Sequence, residues 1–108
     1  MISLEGEALA SAAGAEVLAP GGSGGPRRAV VDSREIREGD LFAGLPGERH
    51  DGGEFAAEAL RKGAWGVLVS TQWGRELAVQ RRVGAREADG WVLGAADPLA
   101  SVQSLARA

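Results

Sequence analysis

Four short apolar runs, at residues 29–32, 40–45, 65–69 and 90–96, are separated by segments whose apolar residues fall at helical spacing. That alternation constrains the fold more than any other feature. Phe55, Ala56, Ala59 and Leu60 mark one helical face, closed by Gly63 where a C-terminal glycine cap belongs. Residues 71–82 predict a second surface helix. Asp97-Pro98 reads as an N-cap followed by proline at the first helical position, with the helix continuing over 99–108. Upstream, residues 4–13 predict an alanine-rich helix stopped at Gly14, and residues 16–19 a short strand. Strands alternating with helices give an α/β fold, a sheet covered by helices.

A chain of 108 residues fits one domain, and with 44% hydrophobic residues it can bury a modest core. It has no cysteine, which excludes disulfides, thiolate metal sites and cysteine nucleophiles. A net charge of −3 lacks the basic field of a nucleic-acid binder. The N-terminus carries Glu5 and Glu7 where a secretory signal needs basic residues, and no apolar stretch is long enough to span a bilayer. These readings leave a cytoplasmic protein with neither a nucleic-acid nor a membrane partner.

Polar residues concentrate between the first two apolar runs and just after the second. Asp32, Ser33 and Arg34 follow a strand, where α/β sheets place ligand sites. A hydroxyl there can bond a base or sugar edge, and an arginine can fork a phosphate. On residue types alone they fit better as a turn in which Asp32 accepts backbone N–H bonds and Arg34 pairs with Asp32 or Asp40. Asp51 precedes a helix beginning near Gly52, with Glu54 three residues on, which is a capping-box arrangement. The same helix end offers free N–H groups to a ligand. His50 is the sole histidine and fits a solvated loop position better than a metal or acid–base role. Trp65 and Trp91 read as packing residues, Trp73 as partly exposed. "PGGSGGP", residues 20–26, reads as a mobile connector, since it matches no dinucleotide fingerprint. No phosphate loop, H-E-x-x-H, G-x-S-x-G or metal-spaced carboxylate cluster occurs. No catalytic residue and no metal ligand is assigned.

The stretch "DSREIREGDLFAGLPGERHDGGEFAAEALRKGAWGVLVS" resembles the N-terminal domain of the Mur ligases, which build the peptide stem of bacterial cell-wall precursors. Within that family, "GER" and "DPLASVQSLARA" look most like the ligase that adds D-alanyl-D-alanine. The diaminopimelate- or lysine-adding ligase is the near alternative. The resemblance implies a small α/β domain, a mixed β-sheet flanked by helices, that holds the UDP end of a UDP-MurNAc-peptide. It implies two further partners, a central ATPase domain that uses ATP and Mg²⁺ and a C-terminal domain, neither matched here. This chain would then be a one-domain piece, 1–108, of a longer three-domain enzyme, inactive alone and without a cofactor of its own. By the same resemblance, Ser33 and Arg34 form one wall of the UDP site, and Gly47, Glu48, Arg49, His50, Asp51 and Gly52 the other. Three departures stand out. His50 occupies a position where an apolar or aromatic residue is commoner, Gly53 replaces a frequent histidine, and Pro46 replaces a loop lysine. Two readings from other classes stay open: a stand-alone ligand-binding module, and a structural domain whose polar loop is a helix cap.

Overall fold

Alternating inward and outward side chains along the apolar runs build a sheet buried on both faces. The computed structural model describes residues 4–22, 24–45, 55–83 and 90–107. In chain order these are α1 (Leu4–Ala13), β1 (Glu16–Ala19), β2 (Ala29–Val30), a 3-10 turn (Ser33–Glu35), β3 (Leu41–Ala43), α2 (Ala56–Arg61), β4 (Gly66–Ser70), α3 (Thr71–Val83), β5 (Trp91–Ala95) and α4 (Pro98–Arg107). The strands lie in the order β1-β5-β4-β3-β2. β2, β3, β4 and β5 are mutually parallel, and β1 closes the far edge antiparallel to β5. The sheet is therefore mixed, as the resemblance implies.

Successive residues of a strand point to opposite faces. Phe42, Val67, Val69 and Val92 enter one cluster, together with Ala56, Ala59 and Leu60 of α2 and Trp73, Leu77 and Ala78 of α3. Leu41, Leu68, Trp91, Leu93 and Ala95 enter the other, against Leu9 and Ala10 of α1 and Val102 and Leu105 of α4. The chain steps β3 to β4 to β5 in one direction. Right-handed crossovers then put α2 and α3 on one face, leaving the opposite face for α1 and α4. A strand buried on both faces reads as a continuous apolar run, which is why β4 and β5 are the plainest strands in the sequence.

The predicted stops hold. Gly14 and Gly63 take positive φ of 68° and 95°, a conformation that costs glycine least. Asp97 caps α4 by accepting from the Ala100 N–H at 3.2 Å. Several boundaries move. β2 covers two residues and β3 three, shorter than the apolar runs at 29–32 and 40–45, because Asp32 turns into the 3-10 segment and Asp40 serves as a side-chain hub before β3 begins. Asp51, Gly52 and Glu54, read as a capping box, lie outside the described residues. The described α2 follows Phe55, which makes no side-chain cap bond.

The glycine-rich segment is a strap, which corrects its reading as a mobile connector. β1 and β2 occupy opposite edges, so their link must cross the sheet. Four strand spacings come to about 19 Å, well within the roughly 33 Å that ten residues can reach. It crosses at the amino ends of the parallel strands. Trp91, the first residue of β5, donates its indole N–H to the Gly22 carbonyl at 2.8 Å. Trp65, just before β4, donates to the Gly24 carbonyl at 2.8 Å. Arg27 N–H then reaches the Gly39 carbonyl at 2.9 Å, ahead of β3. The two indoles stack at 5.8 Å between centroids and 19° between planes. The strap thus meets β5, β4 and β3 in sequence, fixed by two side chains that also fill the core.

Candidate functional site at the carboxyl edge of the sheet

Because β2 and β3 run parallel in register, Ala29 beside Leu41 and Val30 beside Phe42, the segments that follow them leave the sheet side by side. Open α/β sheets bind ligands at this carboxyl edge. The Ser33–Glu35 turn emerges from β2. Beyond β3 the chain continues through Gly44, whose N–H still pairs with the Leu68 carbonyl at 2.9 Å, to Leu45. Two large apolar side chains are exposed on these connections: Val31, directly after β2, at 56% and Phe55, opening α2, at 36%. They were not read as site residues from the sequence, where an apolar residue ending a strand or opening a helix looks like core.

Asp32 shapes the turn. Its carboxylate accepts the Arg34 backbone N–H at 2.9 Å and the Arg34 guanidinium through Nε at 3.1 Å and Nη2 at 2.9 Å. Its carbonyl accepts the Glu35 N–H at 2.9 Å. The Arg34 side-chain bond, then its backbone N–H, holds the Asp32 carboxyl below the usual carboxylate value, and Asp32 in turn raises Arg34. Of the two partners weighed for Arg34, the structure selects Asp32. The Arg34 side chain remains 87% exposed, so a second anion can approach it.

Asp40 pairs instead with Arg28, a contact the sequence did not reveal. The Asp40 carboxylate is buried and accepts Arg28 Nε at 3.1 Å on each oxygen and the Arg37 N–H at 2.9 Å, with Arg28 Nη2 in ion-pair contact at 3.0 Å. Burial pushes its pKa up, but the Arg37 N–H and the Arg28 guanidinium outweigh that and hold it below the ordinary value. Arg28 Nη2 also donates to the Glu35 carbonyl at 2.9 Å. Arg28, Arg34, Glu35, Ile36 and Arg37 line an open groove of about 450 Å³ beside the turn.

Of the residues assigned to the site from sequence, the structure places Ser33 and Arg34 in the turn at the carboxyl end of β2. Gly47, Glu48, Arg49, His50, Asp51 and Gly52 lie outside the described residues, as does any contact between the two walls. Among the described residues no three His, Cys, Asp or Glu side chains converge, and the sequence has no phosphate loop. No described helix is long and apolar enough to cross a membrane.

Residues 29–104 match the Mur ligase family, catalytic domain. Among curated proteins, the chain is 56% identical over 40 residues to the UDP-N-acetylmuramoyl-L-alanyl-D-glutamate--2,6-diaminopimelate ligase of Prochlorococcus marinus (strain NATL2A), which covers 37% of this chain and 8% of that protein. The ligase of the same name from Parasynechococcus marenigrum (strain WH8102) is 43% identical over 60 residues, 54% of this chain and 12% of its own length. That from Pseudomonas aeruginosa PAO1 is 45% identical over 51 residues, 47% and 10% respectively. The matched stretches therefore span 8% to 12% of these relatives. The five-stranded mixed sheet flanked by helices is the α/β arrangement of the Mur ligase N-terminal domain. With the family match running from β2 into α4, this chain belongs to the Mur ligase family.

Proposed function

We propose that this chain anchors the UDP moiety of a UDP-MurNAc-peptide within a ligase that adds diaminopimelate to a peptidoglycan precursor. The observation that carries the reading is the side-by-side exit of two polar segments from parallel neighbours β2 and β3, at the edge where such sheets bind ligands. Ser33 and Arg34 form one wall, and residues 47–52 supply the other. Val31 and Phe55 offer apolar surface for a flat base. Arg34, neutralised only in part by Asp32, faces the diphosphate. The names of the relatives favour diaminopimelate over D-alanyl-D-alanine as the added group. They outweigh the short "GER" and C-terminal likenesses on which the other choice rested.

In this reading the chain is one domain of a longer cytoplasmic bacterial enzyme. Its central domain would use ATP and Mg²⁺ to activate the carboxylate, and its C-terminal domain would present the amine. Binding energy collected here, far from the reacting carboxylate, would be spent on positioning it. The chain alone would bind without catalysing.

Titration of the isotope-labelled chain with UDP, and separately with ADP, tests the proposal. UDP should shift the backbone amides of Ser33 to Glu35 and of residues 47–52, and ADP should do so more weakly. Shifts confined to the strap at Gly22 and Gly24 would remove the assignment. The added group is decided on the full-length enzyme. Phosphate release that depends on diaminopimelate supports the reading, and release that depends on D-alanyl-D-alanine reverses it.

A further inference from the structure

The turn carrying Ser33 and Arg34 follows a two-residue edge strand and is only three residues long. It has little rigidity of its own. Internally it rests on the Asp32 bonds to Arg34 and Glu35. Its exit is held from outside, by Arg28 Nη2 on the Glu35 carbonyl. The same guanidinium is seated on Asp40, through Nε and Nη2 at 3.0 to 3.1 Å. Asp40 is fixed in turn. Its side chain is 2% exposed, its N–H donates to the Arg37 carbonyl, and its carbonyl accepts the Trp65 N–H at 2.7 Å. A continuous series of bonds therefore runs from the entry of β4 through Asp40 and Arg28 to the turn.

We propose that Arg28 is a positioning residue. Its guanidinium, seated on Asp40, fixes the orientation in which the turn presents Ser33 and Arg34 to a nucleoside diphosphate, without touching that ligand. The ligand half of this inference rests on the nucleotide site proposed above. The residue type matters. A planar guanidinium can grip a carboxylate through two nitrogens and still direct an N–H to a carbonyl, whereas an ammonium is a point donor without that fork. Arg28→Lys keeps the charge and the approximate length and removes the double grip.

The experiment measures backbone ¹⁵N order parameters and UDP affinity for the wild-type chain, Arg28→Lys and the exposed α3 control Arg75→Gln. In Arg28→Lys, the order parameters of Arg34 and Glu35 should fall from about 0.85 towards about 0.6. Those of β4 and β5 should stay put, and UDP should bind about tenfold more weakly, as for one lost charge-assisted hydrogen bond. Arg75→Gln should change neither. Wild-type order parameters in the turn with unchanged UDP affinity would overturn the proposal. So would equal loosening of β4 and β5, which would make Arg28 a general support of the fold. A wild-type chain that ignores UDP would defeat the nucleotide site, and the order parameters would still judge the positioning. A second measurement does not depend on any variant folding. The wild-type Arg28 Nε–H should be protected from solvent exchange at neutral pH while that of Arg75 is not, and equal exchange would refute the grip.

Discussion

Replacing Trp91 by phenylalanine tests the packing and the strap together. Trp91 is fully buried between the sheet and α1, and its indole N–H holds the Gly22 carbonyl. The smaller ring leaves out part of the indole, about 2 kcal/mol of buried apolar contact at roughly 0.8 kcal/mol per carbon. The lost hydrogen bond adds about 1 kcal/mol, since the freed carbonyl on the exposed Gly22 can turn to water. The sum is about 3 kcal/mol, or about 12 °C in Tm for a domain of this length. Trp65→Phe is the internal comparison. It loses the equivalent bond to Gly24 from a half-buried ring, so it should cost about two thirds as much. Urea unfolding followed by far-UV circular dichroism avoids relying on the fluorescence of the altered residues. A Trp91→Phe cost below about 1 kcal/mol, or one no larger than that of Trp65→Phe, would refute both the burial and the strap.

Three further outcomes are expected. Gly6→Ala should destabilise, although alanine is worth about 1 kcal/mol more than glycine inside a helix, because its Cβ would lie 2.4 Å from Cε2 of the buried Trp91 ring; a rise in Tm would contradict this packing. Ser33→Ala and Arg49→Ala should each weaken UDP binding about tenfold while leaving Tm nearly unchanged, read by calorimetric titration and thermal melts; a lower Tm with unchanged affinity would make these residues structural. Asp32 and Asp40 both have folded-state pKa values lowered from 3.8, so their stabilisation is present above that value and is lost as pH falls through and below it. Urea midpoints measured from pH 6 down to pH 2 should show that loss, with a shallower acid slope in Asp32→Asn, and an unchanged slope in the variant would remove Asp32 from the account.

What the sequence made legible was local. Asp97-Pro98, Gly14 and Gly63 mark helix ends through backbone chemistry confined to a few residues. The doubly buried β4 and β5 announce themselves as unbroken apolar runs. Pairings between distant residues were not legible. Arg28 and Asp40 are 12 positions apart, and nothing in either residue names the other until β2 and β3 lie side by side. The strap failed for the same reason. A glycine-rich segment looks mobile when read alone, and its partners Trp91 and Trp65 sit 69 and 41 positions away from the carbonyls they hold. At the candidate site, Ser33 and Arg34 were singled out through their place at a strand end. Val31 and Phe55 were not singled out, because an exposed apolar residue has the same letters as a core one. The choice of added group rested on a three-residue token and a C-terminal helix, too little sequence to distinguish one ligase of the family from another.

The central claim is that the uridine diphosphate rests at the carboxyl ends of β2 and β3. A crystal structure of this chain soaked with UDP tests it most directly. The nucleotide should lie at that edge, its diphosphate within hydrogen-bonding distance of the Ser33–Glu35 turn and the base beside Val31 or Phe55. UDP bound instead at the amino edge, against the strap over Trp65 and Trp91, would contradict the account, as would a carboxyl edge left empty at saturating nucleotide.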